Sequence, residues 1–285
     1  MSDSTLTLPP LAVRTAAPAA RPLPAAPRAP RRWQWPLGAV LPLALLALWE
    51  ILARTGALPP NLLPAPSKVL GTIAELARTG ELWPHLGLTL ARVGAGFALG
   101  SLAATALGAL TGYAPLARRL LDPLLQGVRN IPSLAWVPLF ILWMGIYETS
   151  KVVLIAVGVF FPVYLGLMSG VQGVDRKLVE VGRMYRLSGL ALVRRVFLPA
   201  TLPAYLVGLR NGLGLGWMFV VAAEIMGANK GLGFLLVDGQ MTGRPQTILA
   251  SILLFAILGR TTDAGLAWLS RRLLRWQDTH GSEQG

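Results

Sequence analysis

Apolar residues in this chain gather in long runs separated by short gaps that carry most of the charge. Runs at 37–54, 87–113, 131–146, 150–170, 204–226 and 247–269 approach the roughly 20 residues a helix needs to cross about 30 Å of hydrocarbon. The pattern predicts an all-α, polytopic membrane protein with about six transmembrane helices. The third run is short and holds Pro132 and Pro138. A broken or partly re-entrant helix is expected there, because freed backbone groups inside a membrane must be satisfied by neighbouring protein. Between the first two runs, segment 55–86 is polar and turn-bearing. Ser67 is expected to cap a short amphipathic helix running to Leu76 along the membrane surface. Residues 1–35, rich in Pro, Ala and Arg, read as a disordered cytoplasmic tail ahead of an uncleaved anchor. Trp33 and Trp35 would then sit at the interface. The membrane domain covers 36–276, a second cytoplasmic tail covers 277–285, and no internal repeat stands out.

A different pattern interrupts the runs from Asp175 to Pro203. Leu178, Val181 and Met184 recur at helical spacing behind Asp175, Arg176 and Lys177. A Ser188-Gly189 break follows, then a second helical run from Leu190 to Phe197, which Leu198-Pro199 is expected to end. Two short basic helices joined by a bend suit a docking element for another protein.

The chain is 54% hydrophobic and 14% charged, with a mean hydropathy of +0.57. A soluble domain carries about 25% charged residues, and the deficit is what lipid demands. Cysteine is absent, which removes disulfides, thiolate chemistry and cysteine metal sites. His85 and His280 are too few and too scattered for a metal cluster. The net charge of +13 raises nucleic-acid binding. The arginines lie in gaps between apolar runs, however, where they act as topogenic charge and contacts to anionic lipid. One set of gaps holds Arg14, Arg21, Arg28, Arg31, Arg32, Arg118, Arg119, Arg176, Lys177, Arg183, Arg186, Arg194, Arg195, Arg271, Arg272 and Arg275. The other holds Arg54, Lys68, Arg78, Lys151, Lys230 and Arg244, mixed with carboxylates. Both termini and the 175–203 segment are therefore expected in the cytoplasm.

Within the runs, Gly208, Gly212 and Gly216 stack at i, i+4, i+8 and offer a groove for helix packing, with a subunit interface or pathway as the sharper alternative. Gly96-Gly100 and Gly108-Gly112 make a weaker case of the same kind. Buried polar residues are costly and often functional. Asn130, Pro132, Arg210, Asn211 and Glu224 are the candidate pathway residues. Arg210 and Glu224 lie roughly 21 Å apart along one helix and cannot pair directly. For Arg210, snorkelling to the interface is favoured over lining an anion path. Arg260 and Asp263, at i and i+3, form a structural ion pair in the favoured reading. The glycines at 212, 214 and 216 do not make a nucleotide loop, and no G-x-x-x-x-G-K-[ST] stretch exists. No catalytic constellation is present, so neither catalysis nor a cofactor or metal is expected.

On these residues the chain resembles the inner-membrane permeases of bacterial ABC importers, from about residue 37 to residue 276. That family carries a signature of E-A-A, three variable residues, G, nine variable residues and I-x-L-P. Here it reads Glu180-Val181-Gly182, Arg183-Met184-Tyr185, Arg186, nine residues and Val196-Phe197-Leu198-Pro199. The resemblance implies a type I permease fold in which Glu180, Gly182, Arg186, Ser188, Gly189, Leu198 and Pro199 belong to the element that couples to the ATPase. Arg186 stands where the family has glycine, so the bend is expected at Ser188-Gly189, with Arg186 in the last turn of the first helix. Segments 63–70, 80–86, 120–146 and 208–235 look like permeases for aliphatic sulfonates, taurine and nitrate, with the aliphatic sulfonate branch nearest. The implied partners are two cytoplasmic ATP-binding subunits, a second permease subunit of the same chain and a periplasmic substrate-binding protein. ATP hydrolysis would lie on the separate subunits, and the location would be the bacterial inner membrane. An ion-coupled carrier and a membrane scaffold are the competing classes, the first weakened by the missing repeat.

Overall fold

The structure, a computed structural model, describes residues 37–276. The expectations for the two tails, Trp33 and Trp35 lie outside the described residues. The chain divides within its first helix into residues 1–43 and 44–285. Helix α1 (Leu37–Arg54) begins in the first unit, and the elements that follow belong to the second.

Helices α2 (Pro66–Thr79), α3 (Leu82–Tyr113), α4 (Pro115–Arg129) and α5 (Val137–Met144) lead to α6 (Glu148–Gln172). Then come α7 (Arg176–Met184), α8 (Gly189–Leu192), α9 (Leu198–Ile225), α10 (Leu232–Met241) and α11 (Pro245–Leu273). Among the described residues, four helices are long and apolar enough to cross a membrane: α3, α6, the continuous stretch through α8 and α9, and α11. The chain is a multi-pass membrane protein.

Helix α6 lies between α3 and α9 and makes the core with them. Its buried face carries Leu154, Ile155, Val159, Val163 and Tyr164. Lipid is as apolar as leucine, so close packing rather than water exclusion must hold such helices together. Small residues supply it. An added Cβ would lie 3.0 Å from Gly166 Cα at Gly208, 2.8 Å from Val163 Cγ2 at Gly212 and 3.1 Å from Val159 Cγ2 at Gly216. On the other side of α6, a Cβ at Gly96 would lie 2.5 Å from Ile155 Cγ2, and one at Gly100 would collide with the Ala156 carbonyl oxygen. Two glycine-bearing faces thus clamp one apolar helix. A smaller core of Leu82, Leu232, Leu235 and Leu254 joins α2 and α10 to α11.

The break expected in the run 131–146 is seen, and two local expectations, at Leu198-Pro199 and at Ser67, are corrected. The run 131–146 is not one helix: a 3₁₀ turn (Ser133–Trp136) follows Pro132, and α5 is only 8 residues long. That is about 12 Å of helix, too short to cross hydrocarbon alone. The amphipathic α4 precedes it, unforeseen from the apolar pattern because it carries Arg118, Arg119, Asp122 and Arg129. Proline also fails to stop the run at Leu198-Pro199. A π-helical turn (Val193–Phe197) comes first, and its widened pattern accommodates a residue that has no N–H to return. The helix then continues to Ile225. Ser67, finally, is not the N-cap of α2. Its N–H and hydroxyl donate to Glu50 at 3.0 and 2.7 Å, so a carboxylate from α1 satisfies the open end of α2.

Candidate functional site

Two kinds of site emerge, at opposite ends of the bundle. Helix α6 runs about 37 Å from Glu148 to Gln172 and delivers the chain to the Asp175–Pro203 segment. Asp175 starts α7, its side chain accepting the Lys177 N–H at 2.9 Å. The stop is set by Arg186, at φ 58 the one non-glycine residue with positive φ among the described residues. Its N–H donates to the Arg183 carbonyl at 2.8 Å, and the Leu187 N–H donates to the Gly182 carbonyl at 3.0 Å. This pair of bonds closes a helix end around a left-handed residue. The expectation that Arg186 would stay helical is therefore corrected. Left-handed geometry costs a side-chain-bearing residue about 1–2 kcal/mol, but two otherwise orphaned carbonyls are satisfied in return. Gly189, at φ 51, supplies a second left-handed step, so Ser188-Gly189 contributes to the bend without carrying it alone.

The hairpin so formed is closed on itself. A Cβ at Gly182 would lie 2.8 Å from Leu192 Cδ1 and 3.1 Å from Val196 Cγ2. Gly182 therefore packs α7 against its returning arm rather than pointing outward. What the hairpin does present is apolar: Met184 is 82% and Leu190 81% exposed, with Tyr185, Val181 and Leu178 beside them. Arg176, Lys177, Arg183, Arg186, Arg194, Arg195 and Glu180 are exposed around this surface, as is Leu198, while Pro199 is half-buried. An apolar centre with a charged margin is the composition of a protein-docking surface.

At the other end, Arg92 ties α3 to α6, to α9 and to the loop before α10. Its Nε and Nη2 donate to Glu148 of α6 at 2.6 and 2.7 Å. Nη1 donates to Glu224 of α9 at 2.8 Å and to the Lys230 carbonyl at 2.7 Å. Glu224 also accepts from the Thr89 hydroxyl at 2.8 Å and from the Gly233 N–H, in the first turn of α10, at 2.7 Å. The Leu232 N–H reaches Thr89 Oγ1 at 3.0 Å, and the Gly231 N–H reaches His85 Nδ1 at 2.9 Å. The glycines make room for the carboxylate. A Cβ at Gly231, where φ is 125°, would fall 2.6 Å from Glu224 Cδ, and one at Gly233 2.5 Å from Glu224 Cβ. Arg92 and Glu224 are 2% and 1% exposed. Glu224, expected on a translocation path, is enclosed here and accepts the Gly233 N–H at the start of α10. Its burial is tolerable because cation, hydroxyl and amide together saturate the carboxylate.

Arg210, expected to snorkel or to face an anion, makes a two-pronged pair with Asp263 of α11, both bonds 2.9 Å. Arg260 lies 3.7 Å from the same carboxylate, so the foreseen Arg260–Asp263 contact exists but is secondary to Arg210. Asn211 is exposed on α9 away from the glycine face, and Asn130 and Pro132 are exposed at the break between α4 and α5. These residues are not gathered into one pocket. The sequence reading missed Arg92, although a lone arginine inside the apolar run 87–113 met the criterion that singled out Arg210.

Comparison with known proteins adds the family. The model for the binding-protein-dependent transport system inner membrane component family matches residues 96–275. The SsuC protein of Bacillus subtilis, which bears the name of an aliphatic sulfonates transport permease, is 38% identical over 88% of this chain and 91% of its own length. The taurine transport system permease protein TauC of Escherichia coli is 34% identical over 89% of this chain and 95% of its own. Among solved structures, an inward-facing form of the methionine ABC transporter MetNI aligns with a TM-score of 0.59 at 17% identity. That alignment covers 68% of this chain and 98% of the other, and it speaks to the fold alone. With its signature segment folded into an exposed hairpin and its family model matched from the second span to the C-terminal helix, the chain belongs to the inner membrane components of binding-protein-dependent transport systems, the permease subunits of ABC transporters.

Proposed function

We propose that this chain forms the translocation pathway of an ATP-driven importer for small organic anions, with aliphatic sulfonates as the cargo class. The observation that carries the cargo is the 38% identity to an SsuC protein over 88% of the chain. Taurine, itself a sulfonate, is the alternative that the 34% identity to TauC supports. The permease works as a pair of identical subunits in the bacterial inner membrane with both termini in the cytoplasm, consistent with the basic gaps on that side. Two ATPase subunits, which hydrolyse the ATP, dock on the 175–203 hairpin. A substrate-binding protein delivers cargo to the opposite end, where α2 and α10 lie. Closure of the ATPases moves the hairpin, and the unbroken stretch from Gly189 to Ile225 transmits that motion into the bundle as a stiff rod. Asn130, Pro132 and Asn211 are the pathway residues in this reading, with Arg210 available only when it leaves Asp263.

The test is growth and uptake. A strain lacking this gene should lose growth on an alkanesulfonate as sole sulfur source and regain it from a plasmid copy. Growth retained on alkanesulfonates but lost on taurine would transfer the assignment to taurine.

A further inference from the structure

The hairpin keeps a residue that its own backbone disfavours. Arg186 is the one non-glycine left-handed residue among the described residues, at a position where glycine would turn the chain without a Cβ penalty. Local strain of this kind persists where the side chain has a use. The Arg186 side chain is exposed and forms no ion pair among the described residues.

Its surroundings share that condition. From Asp175 to Phe197 the segment carries six cations, Arg176, Lys177, Arg183, Arg186, Arg194 and Arg195, against Asp175 and Glu180, and none of the eight is salt-bridged among the described residues. Within the bundle Arg92 has Glu148 and Glu224, Lys151 has Glu148, and Arg210 has Asp263, whereas exposed Arg118, Arg119, Lys230 and Arg271 are, like the hairpin cations, without a salt bridge among the described residues. The surplus of +4 on the hairpin is matched by no salt bridge among the described residues.

We infer that Arg186 is a specificity contact of this docking surface, meeting a carboxylate on an ATPase subunit whose receiving groove is apolar at its centre and acidic at its margin. The inference rests on the proposed docking of that subunit to the hairpin. Exposed Met184 and Leu190 fill the centre, and the left-handed turn at φ 58 sets the direction in which the Arg186 side chain leaves the backbone. Anionic lipid, the other acidic surface nearby, rewards positive charge without regard to angle. A flexible lysine on an unstrained turn would serve it as well.

The test uses the full permease in lipid nanodiscs and the purified ATPase subunit. Affinity is measured at low and high salt, in zwitterionic and in anionic lipid, for the wild type, Arg186→Gly, Arg186→Asn and Arg186→Glu. Asparagine is included because it tolerates the left-handed region, should the glycine variant fail to assemble. The glycine variant should unfold at the same or a higher temperature while binding the ATPase subunit about tenfold more weakly, the scale for a truncated interface charge. Arg186→Glu should bind more weakly still. The loss should shrink at high salt and be equal in both lipids. Wild-type affinity in Arg186→Gly and Arg186→Asn, or a loss confined to anionic lipid, overturns the inference. If wild type itself binds no ATPase subunit, the docking assignment fails, and that result is distinct from a failure of Arg186 alone.

Discussion

Removing Arg92, Glu224 or Glu148 should destabilise the protein in a definite order, because the three members of the cluster differ in how they are buried. Arg92 and Glu224 have side chains 2% and 0% exposed, whereas the Glu148 side chain is 55% exposed. Taking away one partner of a buried pair leaves the other charged and unpaired, at a cost of about 3–5 kcal/mol. Arg92→Leu does this to Glu224, which keeps only Thr89 and the Gly233 N–H, so it belongs at the top of that range. Glu224→Gln is milder, since Arg92 retains Glu148 and the Lys230 carbonyl, and about 2–3 kcal/mol is expected for the lost charged hydrogen bonds. Glu148→Gln exposes its deficit to solvent and should cost about 1 kcal/mol or less. In thermal unfolding of the purified protein, about 2–4 °C is lost per kcal/mol for a chain of this size. The expected falls are then roughly 10 °C or more for Arg92→Leu, about 4–12 °C for Glu224→Gln and no more than about 4 °C for Glu148→Gln. A double-mutant cycle between positions 92 and 224 should show strong coupling. Equal midpoints for Arg92→Leu and wild type, or a larger loss from Glu148→Gln than from Glu224→Gln, would refute the reasoning.

Further outcomes follow from close approaches and from the second ion pair. Gly212→Leu should prevent assembly of the α6–α9 pair, because even a Cβ there meets Val163 at 2.8 Å. Gly214→Ala, with nothing within 4 Å, should leave yield and melting unchanged, and gel filtration of the two side by side checks both. Gly231→Ala should lower the melting midpoint and speed amide exchange at the start of α10, since its Cβ collides with the Glu224 carboxylate. Arg210→Lys, which keeps the charge but loses the two-pronged geometry, should uncouple from Asp263→Asn in a thermal double-mutant cycle. Strong coupling retained with lysine would contradict the pairing.

Much of the bundle was legible because hydrocarbon imposes a simple rule on sequence: runs long enough to span it are helices. That rule recovered the spans now seen as α3, α6, α9 and α11, with ends short by a few residues where polar caps extend the helix beyond the apolar run. It failed on α4, whose arginines and aspartate broke the run, and on α10, whose 10 residues fall below spanning length. The hairpin was legible in outline because its apolar residues repeat at helical spacing. Its turn was misjudged, since a glycine-free bend looked too strained until the bonds to the Gly182 and Arg183 carbonyls were in place. The cluster at the opposite end was the least legible part. Arg92 and Glu224 are separated by 132 positions, and no local pattern announces such a pair.

The central claim is that this chain carries cargo only as the membrane part of an ATP-driven importer. Proteoliposomes containing the permease, its ATPase subunits and an internal ATP supply, with the binding protein outside, give the direct measurement. The account predicts that a labelled alkanesulfonate accumulates inside, and that uptake stops when the phosphate-binding lysine of the ATPase is replaced by alanine. Accumulation driven by an ion gradient through the permease alone, with no ATPase and no ATP, would contradict it.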